Sequence, residues 1–165
     1  MRSSWDVETT STVVALRTLA RRAHAMLKEA RELQKAMVVI IRSWRPDLLE
    51  EFGIGPIVAA TVLCAWSHPG RIHPEAAIAM LTGVAPIPAS SGQVTTRYRL
   101  NPYGDRQLNA LHIVVQSRIQ YQPATRDYVA RRTAEGKTGR EIKRCLARYV
   151  ARDLYRLLEN GAAAA

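Results

Sequence analysis

The chain has 165 residues, 47% of them hydrophobic, and a formal net charge of +10. Such a composition suits one or two small domains with a modest core and excludes a chain that is disordered throughout. No apolar run approaches the roughly 20 residues that cross a bilayer, and the opening MRSSWDVETTSTVV lacks a basic-then-apolar secretory signal, so a cytoplasmic protein with no membrane attachment is expected.

The first predicted element is a long helix. Apolar or small residues recur at Leu16, Leu19, Ala23, Met26, Ala30, Leu33, Met37, Ile40 and Trp44, in alternating steps of three and four. That is a heptad seam, and the mostly charged residues between its positions leave only a narrow stripe to bury against another helix, in the same chain or in a second copy. Pro46 restricts Arg45 and removes a backbone donor, which should stop this helix near Trp44. Residues 1–46 therefore read as a coiled-coil helix, residues 47–160 as a helical domain and residues 161–165 as a tail.

Asp47 to Trp66 reads as a short helix, a tight turn Phe52-Gly53-Ile54-Gly55-Pro56 and an apolar helix. This is the pattern of a helix-hairpin-helix. Gly53 and Gly55 would let a DNA backbone come close, and the free amides of the second helix would face a phosphate. A plain helical hairpin is the competing reading. Another helix is predicted from Pro74 to about Gly83. Helical signals then cease from 84 to 104, where Val94 to Leu100 favours a strand, giving a small hairpin or a long ordered loop. Asp105 should start the next helix, with Leu108, Leu111, Val115 and Ile119 on one face, and a further helical piece closes at Gly136. In the last helix Thr138 and Glu141 form a capping box. Ile142, Leu146, Tyr149, Val150, Leu154 and Leu157 form its stripe, and Asn160-Gly161 should end it.

Charge is unevenly spread. Residues 1–85 carry 10 Lys+Arg against 8 Asp+Glu, and residues 86–165 carry 14 against 6. An arginine-rich excess of this kind suits a polyanionic partner, with solubility alone as the alternative. On the last helix it falls on Arg140, Lys143, Arg144, Arg148, Arg152 and Arg156.

The polar stretch ASSGQVTTRYRLNPYGDRQLN, 89–109, carries the chemistry of interest. Ser91, or Ser90 beside it, could attack a phosphate if a base or metal took its proton and cations met the developing charge. Arg97, Arg99 and Arg106 flank the serines, and Gly92 permits close approach. Asp105 and His112 are the nearby bases. Asp105 more naturally caps its helix, and His112 reads as a packing residue. Cys64, His68 and His73 have ligand-like spacing but lack a fourth ligand, and both Cys64 and Cys145 read as buried thiols in apolar helices.

Four segments in order, FGIGPIVAATVLCAW, AIAMLTGVAPIPASSGQ, RYRLNPYGDRQLN and YVARRTAEGKTGREIKRCLARYVARDLYRLL, resemble the C-terminal part of insertion-sequence transposases of the DEDD/serine type, the 110/116/902 family. The resemblance spans about residues 50 to 158, and the preceding helix is similar to that family's coiled coil. It implies a DNA recombinase in which Ser91 becomes joined to a DNA 5′ phosphate, with Ser90 as the neighbouring alternative. The hairpin glycines Gly53 and Gly55, together with Arg97, Arg99, Arg106, Arg140, Lys143 and Arg144, would hold DNA. Some members also use a structured guide RNA, and paired strand exchanges imply a homo-oligomer, here through the N-terminal helix. The family's RuvC-like domain, whose carboxylates hold Mg²⁺, has no counterpart among residues 1–50, so the chain reads as truncated, with no metal of its own. Pro102 and Tyr103 depart from the family pattern, and the segment after Asn109 reads one residue short. The alternative is a non-catalytic nucleic-acid-binding dimer or regulator; a helical protein scaffold is a third reading. The expected fold is mostly α.

Overall fold

The computed structural model describes residues 6–88, 98–100 and 111–162, with side chains for 6–88 and 111–159. Seven helices and two short strands follow in order: α1 Val7–Trp44, α2 Asp47–Glu50, α3 Pro56–Trp66, α4 Glu75–Leu81, β1 Pro86–Pro88, β2 Tyr98–Leu100, α5 Leu111–Tyr121, α6 Pro123–Ala134 and α7 Gly139–Ala162. The fold is mostly α, as expected. It comprises two compact units, Met1–Ile40 and Ile41–Ala165.

The first unit is helix alone. Its seam residues Leu16, Leu19, Met26, Leu33 and Ile40 are each more than half exposed. Ser11 and Thr18 turn their hydroxyls back onto the Val7 and Val14 carbonyls, at 2.8 and 2.9 Å, satisfying themselves within the helix. The Lys35–Glu32 pair at 3.1 Å is exposed, the kind of contact that contributes only a few tenths of a kcal/mol.

The second unit has the core. α7 packs against α4, α5 and α6, and α2 against α3. Leu48, Ala59, Val62, Trp66, Leu111, Val114, Val115, Val150, Leu154 and Leu158 are buried. On α7 the buried stripe runs Ile142, Leu146, Val150, Leu154, Leu158 in strict steps of four. Tyr149, expected in that stripe, is 47% exposed, because it sits about 100° around the helix from Val150. Leu158, not Leu157, completes the stripe for the same reason. The capping box forms as expected: the Thr138 amide donates to Glu141 Oε2 at 2.8 Å, and the Glu141 amide to Thr138 Oγ1 at 3.4 Å. The Thr138 amide, and then the Thr138 hydroxyl donating to Glu141 Oε2 at 2.8 Å, hold the Glu141 carboxyl below its ordinary pKa.

Arg45 closes this unit at its start. Only 6% exposed, it grips Asp47 with Nε to Oδ1 at 2.9 Å and Nη2 to Oδ2 at 2.6 Å. The same guanidinium donates to the Leu158 and Leu157 carbonyls in the last turns of α7, at 3.1 and 2.7 Å, and lies 5.5 Å from the Trp66 ring centre. A cation there complements the negative end of the helix dipole. Nearby, Glu159 accepts from Trp66 Nε1 at 2.8 Å and from the Gly70 amide at 3.0 Å, tying the loop after α3 to the same end of α7.

β1 and β2 pair antiparallel, with Pro86 opposite Leu100, Ile87 opposite Arg99 and Pro88 opposite Tyr98. Of the two alternatives for residues 84–104, the small hairpin is therefore present, and residues 89–97 connect its strands. The predicted helix start at Asp105 and the core position Leu108 lie outside the described residues.

Candidate nucleic-acid interface

The α2–α3 turn is built from one closed glycine and one open one. Gly53 has φ +85°, and a Cβ there would meet the Val114 carbonyl oxygen at 3.3 Å and Ser117 at 3.4 Å. Gly55 has ordinary backbone, φ −89°, and nothing lies within 4 Å of where its Cβ would be. Ile54 between them is 5% exposed and anchors the turn in the core. Pro56 takes the first helical position of α3, and no side chain caps that end. The next amides, of Ile57 and Val58, have no acceptor within the helix and sit at its positive end, beside the open glycine. We expect Gly53→Ala to destabilise the fold by about 1–2 kcal/mol, whereas Gly55→Ala stays within about 0.5 kcal/mol. Urea unfolding of the two variants checks this, and equal losses would contradict it.

Arg118, which sequence reasoning passed over, fixes the turn. Its Nε donates to the Phe52 carbonyl at 3.0 Å, while Nη2 meets Glu51 at 3.2 Å and Nη1 meets Asp153 at 3.5 Å. Its side chain is 12% exposed and holds two carboxylates, so this arginine positions backbone rather than presenting charge to a ligand. No local pattern marked it, because its partners Glu51, Phe52 and Asp153 are all distant along the chain.

The basic residues of α7 form a second feature of this surface. Arg140, Lys143, Arg148 and Arg156 are exposed and Arg144 is half-buried, while Arg152 is paired with Glu75 at 2.8 Å. Arg140, Arg144, Arg148, Arg152 and Arg156 recur every fourth residue, one per turn, at a rise of about 6 Å. Arg140, Lys143 and Arg144 thus share the start of α7. The hairpin glycines do not join them: Asp153, which holds Arg118 and through it the turn, lies about 20 Å along α7 from Arg140. The hairpin and the start of α7 are separate places on this unit.

A tyrosine pair adds to the surface. Tyr128 of α6 and Tyr149 of α7 meet edge to face, 6.0 Å between centres, with the Arg131 and Arg132 guanidiniums 5.6 and 5.9 Å from the Tyr128 ring centre. Burial, then the neighbouring Cys145 and Tyr149, raise the Tyr128 hydroxyl above its ordinary pKa.

The serine segment itself, Ser90, Ser91, Gly92 and Arg97, lies outside the described residues, as do Asp105 and Arg106. For Arg99 the backbone is described, paired with Ile87 in the hairpin. Two expectations about neighbouring residues are corrected. His112 is exposed rather than packed, since it is turned about 100° from buried Leu111. Cys64 is likewise exposed, not a buried thiol, because α3 buries Val58, Ala59, Val62, Leu63 and Trp66 on the opposite side. Cys145 is intermediate.

No group of three or more His, Cys, Asp or Glu able to hold a metal ion occurs among the described residues. The carboxylates of Asp47, Glu51, Glu75, Asp153 and Glu159 are each engaged by an arginine or by Trp66 and a backbone amide. No helix among the described residues is long and apolar enough to cross a membrane.

What the described part defines is a helical unit organised around a Gly-x-Gly hairpin, with an arginine-studded final helix and a two-stranded arm. The transposase IS116/IS110/IS902 family matches residues 46–130, more than half of the chain, and the chain belongs to that family. No curated protein matches it.

Proposed function

We propose that this chain is the DNA-binding, serine-bearing part of a transposase that recombines insertion-sequence DNA. Ser91, with Ser90 as the alternative, is the nucleophile: its Oγ loses its proton and bonds to a DNA phosphorus as the bond to the 3′ oxygen breaks, leaving a 5′ phosphoserine link and a protonated, free 3′ hydroxyl. Arg97, Arg99 and Arg106 neutralise the phosphoryl oxygens. The Gly53–Gly55 hairpin and the start of α7, Arg140, Lys143 and Arg144, hold the flanking duplex by its backbone. The family membership carries this reading, because the matched span includes both the hairpin and the serine segment.

The exposed seam of α1 supports a homo-oligomer: Leu16, Leu19, Met26, Leu33 and Ile40 are apolar positions that a second copy would cover. Where Mg²⁺ takes part, carboxylates of a RuvC-like domain supply it. A structured guide RNA is a further partner on this reading. The setting is the cytoplasm.

The test is the salt dependence of DNA binding. Log affinity should fall linearly with log salt, and the double variant Arg140→Gln/Lys143→Gln should reduce the slope by about 2 while weakening all sequences alike. A flat salt profile would favour the protein-scaffold reading instead.

A further inference from the structure

The exposed seam of α1 is flanked by charges of opposite sign. In heptad terms Leu16, Ala23 and Ala30 take position a, and Leu19, Met26 and Leu33 take position d. Arg22 and Glu29 take the flanking position g. Both are exposed, and neither makes an ion pair among the described residues; the Lys35–Glu32 pair lies on the outer face of the helix.

We propose that α1 pairs antiparallel with α1 of a second copy, in the register that sets Ala23 opposite Met26, Ala30 opposite Leu19 and Leu16 opposite Leu33. The inference rests on the proposed homo-oligomer and gives it a direction and a register.

Side-chain volumes favour this direction. In a parallel pair each residue of the seam meets its own copy, so the alanines at 23 and 30 would face alanines between layers of facing leucines and methionines. One helix spacing cannot suit both: set by leucine it leaves voids at the alanines, and set by alanine it makes the leucines clash. In an antiparallel pair a meets d, and every alanine of the seam meets Met26 or Leu19. Small faces large in four successive layers, which keeps the spacing even. Leu27, 57% exposed beside the seam, then lies against Ala20 of the second copy.

Charge selects the register. Position g of one copy flanks g of the other, so Arg22 stands beside Glu29 of the second copy, twice by symmetry. Sliding by one heptad in one direction sets Glu29 against Glu29, and in the other Arg22 against Arg22. Both repel. In the parallel arrangement g flanks e, so Arg22 meets Leu27 and Glu29 meets Gln34, with no ion pair in either. Area is narrowly sufficient. Residues 9–40 overlap, and about 48 Å of helix about 10 Å wide covers on the order of 500 Å² on each copy, near the roughly 1,000 Å² in total of a specific interface. The two Ile40 residues, where the second unit begins, are then about 47 Å apart along the pair, whereas a parallel pair would bring them together.

The experiment measures the dimer Kd of the full chain by sedimentation equilibrium. Arg22→Glu should raise it about tenfold, since two attractive pairs become repulsive, and Glu29→Arg should do the same. The double variant Arg22→Glu/Glu29→Arg should return to within about twofold of the parent, because the pairs re-form with their signs exchanged. Mixed in equal amounts, the two single variants should pair with each other in preference to themselves. Spin labels read the direction without relying on stability. With Cys64 and Cys145 replaced by serine, labels at Arg21→Cys should lie about 10 Å apart along the axis and labels at Lys35→Cys about 30 Å apart, whereas a parallel pair gives both positions one distance. A dimer whose double variant stays as weak as the single ones, or whose two label positions report one distance, overturns the antiparallel register and leaves the homo-oligomer standing. A parent chain that is monomeric at about 100 μM overturns both and leaves the DNA-binding reading untouched.

Discussion

Replacing Arg45 with alanine should lower the unfolding free energy by about 3 kcal/mol, the loss typical of removing one partner from a buried ion pair. The side chain is 6% exposed and serves Asp47, two α7 carbonyls and the Trp66 face together. Its removal leaves those acceptors with no donor in its place. Arg45→Lys should recover less than half of the loss, since an ammonium keeps the charge but not the fork that reaches Asp47 and α7 at once. Urea denaturation reads both: the midpoint should fall with an unchanged slope. A loss under about 1 kcal/mol for the alanine variant would show that the clamp is dispensable. The same corner makes stability depend on pH. The hydrogen bond from Arg45 lowers the Asp47 carboxyl, against an opposing effect of burial. At Glu159 burial would raise the carboxyl, but the donors Trp66 and Gly70 and the nearby His73 and His68 outweigh it, and the pKa is lowered. Groups lowered on folding stabilise the fold fully above their unfolded pKa, about 4, and lose that contribution as pH falls through the folded value. Thermal midpoints should thus hold steady from neutral pH to about 5 and drop below about 4. In Arg45→Ala the Asp47 part of that drop should vanish.

Ser91→Ala should reduce strand transfer by about 10⁴-fold or more, the scale seen when a nucleophile is deleted, and leave DNA affinity within about twofold. The assay is best run with the chain joined to a RuvC-like domain, so that the metal-dependent step is supplied. Covalent protein–DNA product, trapped and mapped by mass spectrometry, identifies the linked residue directly. Ser90→Ala should retain the adduct. Loss of the adduct in Ser90→Ala alone would move the nucleophile one residue back. Intact DNA binding with no adduct in the parent chain would favour the non-catalytic module.

Sequence periodicity located the helices well where the pattern was strong. The break at Pro46, the hairpin turn and the Thr138–Glu141 box all lie where local chemistry placed them, because proline geometry, glycine freedom and capping act over a few residues. Side-chain direction was less legible. α3 is apolar nearly all round, so periodicity could not tell that Cys64 faces outward while Leu63 is buried. Tyr149 was misplaced because a three-residue step and a four-residue step look equally helical until the packing partners are known. The roles of Arg45 and Arg118 were invisible for a different reason. Their partners are up to 113 residues away, and nothing in a linear pattern marks an arginine that caps carbonyls rather than meeting a phosphate. Of the fourteen basic residues from position 86 onward, Arg118, Arg132 and Arg152 are each held by a carboxylate, which lowers the charge left for a polyanionic partner on the proposed reading.

The contact of Arg45 with Leu157 and Leu158 places the point where the polypeptide enters the second unit beside the last turns of its final helix. A body whose way in and way out are neighbours behaves like a cassette: it can be spliced into a surface loop of an unrelated host, or rejoined end to end and opened elsewhere, with little strain. A circular permutant that links the end of α7 to Ile41 and opens at Gly136, an exposed left-handed glycine, is the corresponding engineering route to this unit without its leading rod.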